Sequence, residues 1–529
     1  MAGGEVFVPS PGFRGWKRVV GGLELGAWFI LQAALVLAPW MYGSTRRWAF
    51  VVLCQMLAVV AVCWLIVVWL TRTDFERERY LVLPVLFLFL SGWLVVTTGL
   101  RIEPDPFNMQ HFVDLAQRWP GSFMVKTPVE TMWLFTGLFG ALLLIADPML
   151  GAKRRRWTYD TLAVVGASII LLGIVQVQLR APAILWDTSV PTTGYFFATF
   201  FEDSIGGSFV SMIWPLAAGG LIGRLSLPRA MNLREVWLSI FWAGLLVLSL
   251  GGLPAEGSLF AMLNGVFLAL LFVGWILWRL PMRDVRRLLG RGGLVFAACL
   301  LAMVGVVVAT GKSADIKSRF QSVRLSFSRP VPIEGQATQA KADFRMRADG
   351  LIESPATEAK NPGLFSGPRA KVAAMCLRMV PRSGLLGFGP GTWSQTYPLF
   401  TDDTLLRTFY LQMQFAHQDY LQALVEWGIL GVAAWAVIIG GAIRAGLYRL
   451  RRFRMAGGAI SVEEGMVAGA LVAICGVGLH GLFDFPLQVP SIQLYFAVLL
   501  GLLWSAGARR GSRRAFRPSE DVVPKPAGT

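Results

Sequence analysis

The sequence predicts an all-α integral membrane protein of about 12 transmembrane helices, both termini cytoplasmic, with one large loop on the opposite side that carries amphipathic helices. Three observations predict it. Of 529 residues, 55% are hydrophobic and only 15% charged, and the mean hydropathy is +0.57. A soluble chain of this length needs far more charge to cover its surface. Apolar runs long enough to cross ~30 Å of hydrocarbon recur along the chain. The basic residues gather in alternate gaps between those runs.

The runs fall near 22–42, 49–71, 80–99, 131–149, 159–178, 208–223, 236–251, 259–278, 294–311, 418–443, 467–486 and 491–507. With the N-terminus inside, 29 of the 49 Lys and Arg lie in the termini and cytoplasmic gaps. Only six fall in the short outer gaps, and 14 in the long segment 312–416, which by its length is exempt from the positive-inside rule. None is left for a membrane interior. The net charge of +17 is therefore mainly topological, which argues against a nucleic-acid role. Residues 1–20 hold no cleavable signal, and the first apolar run reads as an anchor. These boundaries divide the chain into an N-terminal bundle (1–311), the large loop (312–416), C-terminal helices (417–507) and a basic tail (508–529). Cys54, Cys63, Cys299 and Cys475 fall in spans and Cys376 is alone in the loop, so no disulfide framework is expected.

The middle of the loop, 328–364, is rich in Pro, Glu, Ala and Thr and reads as mobile in part. Residues 369–381 read as a helix. Val372, Met375, Cys376, Met379 and Val380 repeat at helical spacing, Ser366 suits an N-cap, Pro368 the first turn, and Pro381 a stop. Lys371, Arg378 and Arg382 form a polar stripe, whereas Arg369 projects with the apolar face. A guanidinium aimed at the protein body has a fixed anionic partner, either a structural carboxylate or a ligand.

Chemistry-bearing residues are few. His111, His417 and His480 are the three histidines, and all lie on or near the outer face in this topology. A neutral imidazole can accept a proton near pH 7, although an interfacial histidine can equally be a polar anchor. Asp484 follows His480 by four residues, so on a continuous helix the two share a face and could orient a substrate or join two helices. Glu426 is the other notable acid in the late spans. The run Gly387-Phe388-Gly389-Pro390-Gly391 allows close approach to a phosphate or simply makes a turn; it matches no P-loop or dinucleotide pattern. No Cys/His spacing suggests a metal site, and no nucleophile elbow is present.

His417-Gln418, nine residues, then Gly428-Ile429-Leu430-Gly431 resembles the signature of the O-antigen ligase and exopolysaccharide polymerase superfamily. The stretch from Arg369 through GLLGFGPGTW is similar to that family's Arg-headed loop helix and glycine turn. HGLFDFPLQVPSIQLYFAVLLGLLW (480–504) resembles its closing helices, and 192–219 the segment around its sixth span. The resemblance implies transfer or polymerisation of glycan from an undecaprenyl-diphosphate donor at the periplasmic face of the bacterial inner membrane, without metal or cofactor. It implies that Arg369 binds the diphosphate and His417 activates the acceptor hydroxyl. Arg378, Gln418, Tyr420, Glu426, His480 and Asp484 are then expected around the substrate. The acceptor would be a glycan, lipid or protein.

Two departures stand out. Where the family has a Ser-Arg-Gly before the eighth span, this chain has Ala255-Glu256-Gly257, and the asparagines usual in the 192–219 segment are missing. Either another loop base, such as Arg319, Arg324 or Arg378, supplies the second cation, or the chemistry has drifted from the family's. A flippase or transporter, and a non-catalytic envelope component, are the competing classes. The spans lack mid-membrane ionisable groups and a visible inverted repeat, which argues against a coupled carrier.

Overall fold

The computed structural model describes residues 11–71, 79–98, 121–122, 126–147, 150–189, 196–226, 232–309, 368–400 and 414–507. The expectations for His111, for 328–364 with Arg319 and Arg324, for the Ser366 cap and for the tail 508–529 lie outside the described residues.

The described chain is helical: α1 (Pro11–Trp40), α2 (Arg47–Thr71), α3 (Arg79–Thr97), α4 (Lys126–Ala146), α5 (Ala152–Gln178), α6 (Asp203–Leu225) and α7 (Leu233–Glu256). They are followed by α8 (Leu259–Arg279), α9 (Met282–Ala309), the loop helices α10 (Pro368–Met379) and α11 (Trp393–Thr396), and then α12 (Asp419–Ala456), α13 (Val462–His480) and α14 (Pro490–Gly507). Eleven of these are long and apolar enough to cross a membrane. The twelfth expected run, 294–311, falls on α9, where the apolar stretch Ala297–Val306 is shorter than a full span.

The most enclosed span is α6. Its partner is α13, and the reason is a matched pair of small-residue ridges. Gly219 and Gly223 face Gly465 and the start of α13, so closely that a Cβ on Gly219 would overlap the Gly465 carbonyl, and the reverse. Without a hydrophobic drive between helices in lipid, such backbone-to-backbone packing is what holds spans together. Tyr159 of α5 adds a hydrogen bond to the Leu216 carbonyl, at 2.7 Å.

The cations are not all outside the helices. Arg224 ends α6 and Arg279 ends α8, and both are buried. Arg279 pairs with Glu464 in the first turn of α13 (Nε to Oε1, 2.5 Å) and donates to the Gly457 carbonyl. Both stand within helices that extend to the charged level, and Arg279 locks the end of α8 to the start of α13.

Two breaks in the long elements position the site. Within α12, Gly428 has φ 64° and ψ −178°, so Asp419–Trp427 forms a separate head that is offset from the rest. At the other end of its partner, α13 stops at His480, and Pro486–Gln488 forms a short 3-10 turn before α14.

Candidate functional site

The loop helix α10 buries the face read from its spacing: Val372, Met375, Cys376 and Met379 are buried, while Leu377 and Arg378 are exposed. The helix ends at Met379, and Val380–Arg382 continues as a 3-10 turn around Pro381. Its apolar face packs with Phe388, Trp393, Tyr397, Ala416 and Val425, so the loop is fastened to the head of α12. Burial pushes the Cys376 thiol up to about 12. Arg369 lies in the first turn of α10, and its side chain lies outside the described residues.

The glycine run does the fastening. Phe388 and Gly389 donate their N–H groups to the Val425 and Glu426 carbonyls (3.0 and 2.9 Å), and Leu430 donates to Leu385 (3.1 Å). The carbonyls freed by the break at Gly428 thus find donors in the loop. Only glycine fits at both contacts: Gly387 and Gly428 have positive φ, and a Cβ on either would overlap the other strand's backbone. These N–H groups are therefore committed to protein carbonyls and do not cradle a phosphate. The turn does receive one anion, the buried Glu426 carboxylate, which accepts from Trp393 N at 3.2 Å and from the Gly391 backbone. Gln422 completes this lock by donating to Glu426 and accepting from Ala416 N. Glu426 thus holds loop to helix.

The spacing of the signature follows from the same geometry. Gln418 is the N-cap of α12, its side chain accepting from Leu421 N. His417, one residue earlier, has a left-handed backbone (φ 51°), a region uncommon for residues other than glycine. Nine residues later comes the break at Gly428. The left-handed bend aims the His417 ring away from the helix axis, edge-on to Phe485 (4.7 Å between centroids) and toward Asp484. His417 Nδ1 lies 3.3 Å from Asp484 Oδ1, which also accepts from Phe485 N at 3.0 Å.

Asp484 is placed by the end of α13. It lies in the turn after His480, where the regular helix ends, and its N–H still donates to the His480 carbonyl at 3.0 Å. His480 itself is buried, edge-on to Phe260 of α8. Asp419, buried at the first position of α12, pins the turn by accepting from Leu487 N and Gln488 Nε2 (2.9 and 3.0 Å). Tyr420 donates to the Gly478 carbonyl at 2.7 Å. These contacts clamp the heads of α12 and α13 together.

A third acid converges that sequence spacing did not single out. Glu202 stands at the N-cap position of α6, and its carboxylate, His417 and Asp484 offer ligand atoms all within 4.8 Å of one another. A tight turn presents it: Phe197 and Phe200 exchange backbone hydrogen bonds, and Thr199 donates to the Pro39 carbonyl at 2.6 Å. The signal was the segment that lacks the usual asparagines, where Glu202 stands immediately before a helix that begins at Asp203. Glu256, buried at the end of α7, abuts Gly207 in the second turn of α6. Carboxylates from the start of α6 and from the turn after α13 thus approach the imidazole.

Of the sequence-predicted residues, the structure brings His417 and Asp484 together. Gln418, Tyr420 and Glu426 support them, His480 packs behind them, and Arg378 lies on the exposed face of the loop helix. The described donors include a histidine and two carboxylates, a set that suits a divalent cation in kind, though ligand atoms around such an ion sit about 3 Å apart.

No curated protein matches the chain. Residues 244–436 match the O-antigen ligase family model, a region that includes Glu256, Arg369, His417 and the break at Gly428 but neither Glu202 nor Asp484. This multi-pass membrane protein therefore carries an O-antigen ligase (Wzy_C) domain over residues 244–436.

Proposed function

We propose that the protein transfers or polymerises glycan from an undecaprenyl-diphosphate donor at the periplasmic face of the inner membrane. The observation that carries this is the His417–Asp484 pair at the head of the broken helix, the same head on which α10, the helix bearing Arg369, packs its apolar face. His417 takes the proton of the acceptor hydroxyl, with Asp484 holding the ring in orientation. The hydroxyl oxygen attacks the anomeric carbon, the bond from that carbon to the diphosphate oxygen breaks, and the product forms with inversion. Arg369 binds the departing diphosphate with its planar fork.

The proposed orientation has both termini and the Arg454 end of α12 in the cytoplasm and the loop 312–416 outside. It is supported by the bias of Lys and Arg to alternate gaps and by the gathering of Glu202, Glu256, His417 and Asp484 at one end of the bundle. The division into an N-terminal bundle, a loop, C-terminal helices and a basic tail belongs to the same reading. Polymerase is favoured over ligase because the closing segment 480–504 resembles exopolysaccharide polymerases.

A second reading is favoured by one observation, the mutual approach of Glu202, His417 and Asp484 within 4.8 Å. There a divalent cation would take the place of the base. The two readings separate on chelation: the first retains activity in EDTA, and the second loses it and recovers on adding back a divalent ion.

The test is glycan transfer by purified protein in lipid with an undecaprenyl-diphosphate glycan. Arg369→Ala is expected to abolish transfer with the protein still folded, and Arg369→Lys to rescue poorly, since a point charge lacks the two-pronged contact. Full activity of the Ala variant would return Arg369 to a structural role.

A further inference from the structure

We propose that the cleft at the basic ends of α5, α6 and α7 binds the head group of an anionic phospholipid. It is a cavity of about 360 Å³ lined by four cations, Lys153, Arg156, Arg224 and Arg234, against a single acid, Asp160. It lies far from the imidazole site. Helix α6 runs from Asp203 beside Glu202 to Arg224 in this cleft, a distance of about 32 Å at 1.5 Å per residue.

Arg224 is the built part. It is 2% exposed, donates from Nη1 to the Gly220 carbonyl, and lies over the Trp242 ring with 4.9 Å to the centroid. Its Nε is buried with no acceptor among the described residues. Among the described residues none of the four cations is in an ion pair within 4.0 Å. Burial and the nearby Arg156 act against the Arg224 charge, and Asp160 and Glu235, neither of them ion-paired with it, favour it from a distance. A buried guanidinium in such company costs stability unless an anion joins it.

The walls identify the anion as part of a lipid. Trp157 and Phe241 line the cleft and are about half exposed (52% and 47%), so the charged floor continues into an apolar rim. Lys153 lies over the Trp157 ring, 5.4 Å from its centroid, and exposed Trp237 stands nearby on α7. Exposed tryptophans among Lys and Arg mark the head-group level of a bilayer. Basic pockets between spans at that level bind anionic lipid head groups. A phosphodiester would sit between Arg224, Arg156 and Arg234 while its acyl chains follow Phe241 outward. The site is independent of the glycan-transfer reading and of which side of the membrane it faces.

The experiment is native mass spectrometry and thermal stability of the delipidated protein with phosphatidylglycerol, cardiolipin, phosphatidylcholine or inorganic phosphate. Wild type is expected to retain and be stabilised by the two anionic lipids only. Arg156→Gln and Arg234→Gln, both exposed and therefore expected to fold, should each weaken retention roughly fivefold, and Arg224→Gln should abolish it. Equal retention of phosphatidylcholine, or unchanged retention in the Arg156→Gln/Arg234→Gln double variant, would overturn the proposal. Stabilisation by inorganic phosphate equal to that by phosphatidylglycerol would overturn the lipid assignment.

Discussion

His417 Nδ1 and Asp484 Oδ1 stand 3.3 Å apart although 67 residues separate them, and neither is inside a helix. The left-handed backbone of His417 and the Phe485 N–H that holds Asp484 make the contact possible. If Asp484 orients the ring, Asp484→Asn should lower the turnover of glycan transfer by roughly 10² with little change in KM. The amide still accepts from Phe485 N, so the turn should persist. A rise in KM at constant turnover would instead place Asp484 on the substrate.

The contact between Gly387 and Gly428 gives a prediction about folding. Gly428→Ala combines positive φ with backbone overlap, and should destabilise the docked loop by about 2–3 kcal/mol or more. Gly384→Ala is the control: its φ is +67° but nothing lies within 4 Å of the added Cβ, so strain alone, about 1 kcal/mol, is expected. Equal losses of melting temperature in the two variants would show that the loop is not seated on the broken helix.

Cys376 reports on the same docking. A thiol held near 12 rather than 9 has roughly a thousandfold less thiolate at pH 8. Maleimide should therefore leave Cys376 unlabelled in the folded protein and label it after denaturation. Gly428→Ala should expose it. Prompt labelling of folded wild type would mean that the apolar face of α10 is not packed on the body.

Orientation is tested by cysteine substitution in intact cells. An impermeant label should reach Ser366→Cys in the loop and not Ser461→Cys, the N-cap of α13 at the basic end. Labelling of Ser461→Cys alone would invert the proposed orientation.

Much of this was legible from residues. The apolar face of α10 followed from the spacing of Val372, Met375, Cys376 and Met379, because helical period and burial are coupled. The spans followed from run length, apart from α9, whose apolar stretch is short. What spacing could not give was proximity between distant segments. Glu202 reaches His417 only because α6 packs against α13 through glycine ridges and a separate turn aims its cap at the site. The apolar run read through 486 was too long: the helix ends at His480, and Asp484 stands in the turn beyond it. The glycine run suggested a phosphate cradle, since a turn that exposes N–H groups to a ligand and one that exposes them to a broken helix have the same composition.

Turnover of a His417→Gln variant, measured in lipid with chelator present and an undecaprenyl-diphosphate glycan as donor, tests the central claim most directly. Glutamine matches histidine in polarity and reach but cannot take the proton. The account predicts a loss of roughly 10²–10⁴, accumulation of unreacted donor, and Cys376 still protected from label. Near wild-type turnover in that variant would contradict it.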